Sequence, residues 1–67
     1  MTEALRYVAR AARATERAEG RTTRARAELR EAILAAHAKG ESQRAIGKAA
    51  GLSHVQIHRI VTAAKNN

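Results

Sequence analysis

The sequence predicts an all-α protein, and three features of its composition support that fold class. Alanine and arginine, both strong helix formers, are the most frequent residues. Proline is absent and Tyr7 is the only aromatic residue, so helix breakers and aromatic strand formers are scarce. The β-branched residues near the C-terminus recur at helical spacing rather than in the alternating pattern of a strand.

The chain length and the absence of cysteine limit what kind of protein this is. Sixty-seven residues allow one domain with a marginal core, so stabilisation by a metal, a disulfide or a partner is expected. Without cysteine, disulfides and thiolate metal sites are excluded. No apolar run reaches membrane-spanning length, and no signal-peptide core is present. We therefore expect a cytoplasmic protein, a location that the lack of cysteine also fits.

The formal net charge of +7 is spread over the whole chain rather than confined to a tail. Residues 1–40 carry nine Arg and Lys against five Glu, or +4, and residues 41–67 carry four against one, or +3. Such a balance favours a polyanionic partner, either nucleic acid or an anionic membrane. The alternative is a charge that only keeps the protein soluble.

The segment from Thr2 to Lys39 is helical in pattern, with one doubtful point at Gly20. A break is one interpretation, because glycine costs a helix about 1 kcal/mol and Thr22 or Thr23 can cap a new helix. The other interpretation, which we favour, is a continuous or gently kinked helix, because an alanine-rich stripe of heptad type continues through Gly20. The alanine-rich stripe comprises Val8, Ala11, Thr15, Ala18, Thr22, Ala25, Leu29, Ala32 and Ala36. Alanine is common throughout, so an accidental pattern is the alternative.

Two shorter helices follow, and local signals mark their ends. Glycines at positions 40 and 51 suit left-handed turns after the first and the second helix. Ser42 is a natural N-cap for the second helix, which we place at residues 42–50. Ser53 caps the third helix, and Gln56 three residues later completes a capping box.

The turn between the last two helices carries the most informative pattern of the chain. Helices that cross steeply need a small residue at their contact, which Gly47 supplies, and Gly51 tolerates the positive φ of the turn. The apolar residues of this segment are spaced to share one core: Ile46, Ala50, Leu52, Ile57 and Ile60. The pattern resembles the helix-turn-helix repressors. With Leu29 and Ile33 on a preceding helix, it is similar to the three-helix DNA-binding domains of Hin-type recombinases and resolvases.

The resemblance covers roughly residues 26–64 and implies a DNA-binding protein. It predicts a three-helix helix-turn-helix core in residues 23–67, preceded by a long N-terminal helical arm in residues 1–22. One departure is Gly47, where the family usually has alanine, because glycine weakens a helix slightly.

The third helix, residues 53–64, is expected to read bases in the major groove of DNA from its outer face. Its inner face is predicted to comprise Ile57, Ile60, Val61 and Ala64. The predicted base readers are Ser53, His54, Val55, His58, Arg59 and Thr62. Arg59 can donate two hydrogen bonds to guanine, and Val55 or Thr62 can touch a thymine methyl group. The alternatives are a solvated surface charge for Arg59 and a place in the core for Val55.

Other side chains are expected to hold the DNA backbone, and no further chemistry is predicted. The predicted phosphate-contacting residues are Ser42, Gln43, Arg44, Lys48 and Lys65, for which a solvated basic face is the alternative. His54 and His58 have metal-ligand spacing, but the chain offers no cysteine or aspartate to join them. We therefore expect no metal, no cofactor and no enzyme active site.

The sequence therefore predicts a transcription regulator of phage or bacterial type, with repression as the preferred role. We expect it to bind double-stranded DNA as a homodimer that pairs through the N-terminal helix, because one such module makes few base contacts. A monomer whose arm lies along phosphates is the alternative. Rival functions are a protein-interaction module of the antitoxin or adaptor kind, a recombination or partition accessory factor, and a membrane-surface helix in residues 2–19. The third helix lacks large apolar anchors for a protein partner, and residues 2–19 offer few for a membrane.

Overall fold

Four helices make up the regular structure of the residues described by the computed structural model, which are 2–17 and 23–65. They are α1 (Glu3–Arg17), α2 (Thr23–Ala38), α3 (Gln43–Ala50) and α4 (His54–Lys65). The predicted all-α fold class is confirmed. None of the helices in these two ranges has the length and apolar character needed to cross a bilayer.

One small core joins all four helices. Val8 from α1, Ile46 from α3 and Ile57 from α4 have no solvent exposure, and Ile33 from α2 has 1%. The remaining buried residues are Ala32, Ala36 and Val61. Branched aliphatic side chains and alanine therefore fill the centre, while the single aromatic residue, Tyr7, is 64% exposed.

The helices surround this core in a ring, with α1 and α4 on opposite sides. In the described part of the chain, α1 packs against α2 and α3, and α4 packs against the same two helices. No Cα atom of α1 lies within 8 Å of a Cα atom of α4. Helices α2 and α3 therefore separate α1 from α4, and the outer faces of α1 and α4 point away from each other.

The first two helices fold back on each other, so the favoured interpretation of one continuous or gently kinked helix is wrong. The hydroxyl of Thr15 donates to the carbonyl oxygen of Ala25 at 3.3 Å, as well as to that of Ala11 at 3.0 Å. On an uninterrupted helix, residues ten positions apart would be separated by about 15 Å. Gly20, where the break was considered, lies outside the described residues.

The alanine-rich stripe packs within one chain. Its members Val8, Ala32 and Ala36 are buried, and Ala11 and Leu29 are partly buried against the same core. Small side chains allow α1 and α2 to approach closely, and the resulting interface uses the residues that were expected to face a second copy. Helix α1 is therefore part of the core rather than a projecting arm.

The end of α2 follows the expected glycine signal. Gly40 has a φ of 94° and donates its N–H to the carbonyl oxygen of His37 at 3.0 Å. Glu41 donates to the carbonyl oxygen of Ala36 at 3.1 Å. This pair of bonds is a Schellman motif, and it turns the chain toward α3 while satisfying carbonyl groups at the helix end.

The buried position of α1 predicts a clear stability difference between two valine substitutions. Val8→Ala should lower the free energy of unfolding by about 2 kcal/mol, because it removes two methyl groups from a closed core. Val55→Ala is the matched control, since Val55 is 50% exposed and its loss should change stability by about 0.5 kcal/mol or less. Urea denaturation followed by far-UV circular dichroism measures both. Equal losses for the two variants would contradict the packing of α1 into the core.

Candidate nucleic-acid interface

The turn between α3 and α4 depends on a backbone contact at Gly47. A Cβ atom at position 47 would lie 2.6 Å from the carbonyl oxygen of Leu52, closer than real Cβ atoms approach backbone. The carbonyl oxygen of Gly47 accepts the N–H of Gly51 and, at 2.8 Å, the N–H of Leu52. Gly51 itself has a φ of 73°, in the left-handed region. These bonds set the angle at which α4 leaves α3.

The N-termini of α3 and α4 are capped as the sequence predicts. Ser42 has an extended backbone, and its hydroxyl accepts the N–H of Ala45 at 3.1 Å. The hydroxyl of Ser53 accepts the N–H of Gln56 at 3.2 Å, and Gln56 Oε1 accepts the N–H of Ser53 at 2.9 Å. The expected capping box is therefore present. Both hydroxyl groups are occupied by these caps, although their side chains are exposed.

The inner face of α4 is shorter than expected. Ile57 and Val61 are buried, and Ile60 is half-buried against the core. Ala64, which was expected to face inward with them, is exposed, so that prediction is wrong. The whole last turn, residues 62–65, is exposed, which shows that α4 extends beyond the core.

The outer face of α4 is open to solvent and carries five of the predicted base readers: His54, Val55, His58, Arg59 and Thr62. Val55 is 50% exposed, so the alternative that it completes the core is wrong. No carboxylate of the described residues lies within ion-pair distance of Arg59, whose guanidinium is therefore available to a ligand. Hydrogen-bond donors and acceptors thus cover one side of a helix whose other side is apolar.

A hydrogen-bonded chain of side chains connects α3 to this outer face. Gln43 Nε2 lies 3.3 Å from His58 Nδ1, and His58 Nε2 lies 3.4 Å from Thr62 Oγ1. With the amide of Gln43 as donor, Nδ1 accepts and Nε2 carries the proton that it donates to Thr62. The imidazole of His58 is thereby held between the start of α3 and the middle of α4. Sequence reasoning named all three residues but missed their contact, because nothing local signals a pairing across fifteen positions.

The segment that forms this surface carries only positive formal charge. Residues 42–65 contain no aspartate or glutamate, and Glu41 lies just before them. The predicted phosphate-contacting side chains of Arg44, Lys48 and Lys65 are exposed, and Gln43 is half-buried. Lys48 also lines a shallow groove between α3 and α1, where Arg13 and Glu16 lie. Exposed cations on α3 and at the end of α4 therefore accompany the open face of α4, with Glu16 of α1 as an acidic neighbour of Lys48.

Metal binding finds no support in the geometry. Across residues 2–17 and 23–65, no three histidine or glutamate side chains come together as metal ligands.

Comparison with protein-family models, curated proteins and solved structures gives no significant match. The site is therefore interpreted from its own residues alone.

The contact at Gly47 predicts that alanine at this position is harmful. Gly47→Ala should lower the free energy of unfolding by about 1–3 kcal/mol, because the turn backbone must shift to admit the methyl group. Helix propensity alone would favour alanine by about 1 kcal/mol, so the expected sign opposes it. Ala27→Gly on the exposed face of α2 is the control, and it should lose stability for the ordinary propensity reason. Urea titration of both variants decides, and a more stable Gly47→Ala protein would overturn this account of the turn.

Proposed function

We propose that this protein is a sequence-specific double-stranded DNA-binding protein of the helix-turn-helix kind, in which α3 and α4 form the motif and α4 enters the major groove. The proposal depends on one observation above all. The outer face of α4 is solvent-exposed and rich in hydrogen-bonding side chains, while Ile57 and Val61 on its inner face are buried. A major groove about 12 Å wide accepts a helix of this kind.

The side chains of the outer face match what base edges offer. Arg59 can donate two hydrogen bonds to the O6 and N7 atoms of guanine. His54 and His58 can donate to or accept from purine edges, and Val55 and Thr62 can contact a thymine methyl group. His58 can contact a base in one of two ways. Its ring either gives up the contacts with Gln43 and Thr62, or keeps them as a support that fixes its orientation. Ser53 remains a predicted reader, although its cap bonds already engage its hydroxyl.

The start of α3 is suited to the DNA backbone. A helix N-terminus directs free N–H groups and a positive partial charge toward an anion. Ser42 and Gln43 lie at that terminus, and the exposed Arg44 and Lys48 follow in a segment, residues 42–65, that contains no acidic residue. Contacts of this kind supply most of the affinity of DNA-binding proteins and fix their register. Lys65, exposed at the end of α4, is assigned the same role.

Within this proposal, the protein acts as a transcription regulator in the cytoplasm of a bacterium or on behalf of a phage, and repression is the preferred role. A repressor needs only to occupy a DNA site, which a chain with one small core can do. A recombination or partition accessory factor would use the same surface. A protein-interaction module is less well supported, because Val55 is the one large apolar residue exposed on α4.

Binding as a homodimer is also part of the proposal, but through a different contact from the one the sequence suggests. One module of this size makes few base contacts, and a second copy on a two-fold symmetric site would double them. The alanine-rich stripe cannot supply the contact in this fold, because Val8, Ala32 and Ala36 are buried within the same chain.

Replacing Arg59 should reduce base discrimination. Arg59→Ala is expected to weaken binding to the preferred duplex by about 1–3 kcal/mol, with little loss on a scrambled duplex, because a bidentate contact to guanine is removed. The preferred duplex is obtained by selecting bound sequences from a random pool, and affinities are measured by fluorescence anisotropy. Arg24→Ala is the matched control, since Arg24 is an exposed arginine on α2 that pairs with Glu28 at 3.5 Å.

The comparison with a phosphate contact makes this experiment decisive. Lys48→Ala should weaken binding to both duplexes alike and make the dependence of log affinity on log salt shallower by about one unit. If Arg59→Ala instead lowers both affinities equally, Arg59 is a phosphate contact and not a reader. A wild-type protein without any preference among duplexes would refute the proposed function.

The dimer predicts a symmetric binding site. Selection should return a palindromic consensus, and sedimentation of the complex should give two chains per duplex, because each half-site takes one copy of α4. A non-palindromic consensus with one chain per duplex would refute the dimer and leave the reading role of α4 intact.

A further inference from the structure

Four arginines form a straight row on the exposed side of α1. Arg6, Arg10, Arg13 and Arg17 follow one another at steps of four, three and four residues, and all are exposed. At about 1.5 Å per residue, the row is about 16 Å long. Val8 points into the core on the opposite side of the same helix. We refer to these four residues as the arginine stripe.

The arginine stripe forms no ion pair in the described part of the chain, although Glu28 and Glu31 of α2 lie in the groove that Arg10 lines. Within residues 2–17 and 23–65, the ion pair found is Arg24 with Glu28 on α2, and no carboxylate pairs with a member of the stripe. Glu3 and Glu16 are the acidic residues of α1, so the helix keeps a net charge of +2 from four arginines and two glutamates. Lys39 lies beside Arg6 and Arg10 on the same surface and adds to it.

The arginine stripe and the outer face of α4 are the solvent-facing sides of two helices that are not neighbours in the fold. Helices α2 and α3 both pack between α1 and α4, whose Cα atoms stay more than 8 Å apart. Each of the two surfaces is the side of its helix turned away from the shared core, as the burial of Val8 and Ile57 shows. Arg13 shares a groove with Lys48 of α3, whereas Arg6 and Arg10 lie beside Lys39, which has no part in the first contact.

We propose that the arginine stripe binds the phosphate backbone of a second DNA segment, so that one chain bridges two duplexes. This inference rests on the proposed function for the first contact, which α4 makes. The second contact needs no base readout, because a row of guanidinium groups recognises the regular negative charge of any duplex. The protein would therefore hold one preferred site and one segment of arbitrary sequence.

An anionic membrane is the competing polyanion, and the burial of α1 argues against it. A helix that lies on a bilayer inserts an apolar face next to its basic face. The apolar face of α1 is committed to the core, where Val8 is fully buried and Leu5 and Ala11 pack against the buried residues. Tyr7 is the one large apolar side chain left exposed on the helix. A DNA backbone requires only the charge, which is what α1 offers.

Capture of a second duplex tests the inference with the full chain. The preferred duplex is immobilised and saturated with protein, and a fluorescent duplex of scrambled sequence is then added. The wild-type complex should retain it, with a retention that falls about a hundredfold between 50 and 200 mM salt, as four phosphate contacts imply. The variant Arg6→Gln, Arg10→Gln, Arg13→Gln, Arg17→Gln should retain at least about tenfold less. Its affinity for the preferred duplex should fall less than capture does, because α4 is unaltered and Arg13 is the one member of the stripe that lies beside a residue of the first contact, Lys48.

A charge-preserving variant is the matched control. Replacing the same four arginines by lysine keeps the row of positive charge on exposed helical positions, so capture should stay within about threefold of wild type. Far-UV circular dichroism verifies that both quadruple variants are folded. Capture by the glutamine variant at the wild-type level would overturn the inference, and so would a wild-type complex that retains no second duplex.

The failure of the inference and the failure of the proposed function are distinguishable. If α4 does not read bases, the wild-type protein shows no preference between preferred and scrambled duplexes, whatever the glutamine variant does. If the arginine stripe does not bind DNA, the preference for the preferred duplex is intact. Capture of the second duplex is then either absent or unchanged by the glutamine substitutions. Sedimentation with vesicles of phosphatidylserine and phosphatidylcholine tests whether the protein binds the competing polyanion, an anionic membrane. If the wild-type protein binds the vesicles, the glutamine variant does not, and no second duplex is captured, the arginine stripe is assigned to membranes instead.

Discussion

The close approach of α3 to the following turn at Gly47 is the constraint on which the rest of the structure depends. The backbone of Leu52 occupies the space that a side chain at position 47 would need. Because α3 and the turn meet there without a side chain between them, α4 leaves at an angle that buries Ile57 and brings His58 within 3.3 Å of Gln43. We expect this tight contact to outweigh the helix propensity that glycine gives up.

Local features were predictable from the sequence because their physical causes are local. Ser42, Ser53 with Gln56, and the two glycines that end α2 and α3 act through bonds to residues within five positions, and the structure has them as expected. The apolar spacing of α4 also predicted that Ile57 and Val61 are buried. The open face of α4 follows from the same spacing, so the exposure of the candidate readers could be foreseen as well.

What the sequence could not supply was the relation between distant segments. The alanine-rich stripe is equally compatible with one long helix that pairs with a second copy and with two helices that pair with each other. Nothing in the pattern distinguishes these arrangements, because small residues permit close packing in either one. The contact of Thr15 with Ala25 shows that the two helices pair with each other. The prediction that Ala64 faces inward was wrong for a similar reason. Periodicity gives the direction of a side chain but not the point at which the neighbouring helices end.

The same fold-back changes what the N-terminal helix means for the molecule. Val8 and Val61 belong to one core although they lie near opposite ends of the chain. All the residues from Val8 to Val61 must therefore have left the ribosome before the native packing can be complete. A protease that removed α1 would expose the apolar side chains of α2 and α3 that pack against it. Solvent would then reach the core that α2, α3 and α4 share, although the cut lies outside those three helices.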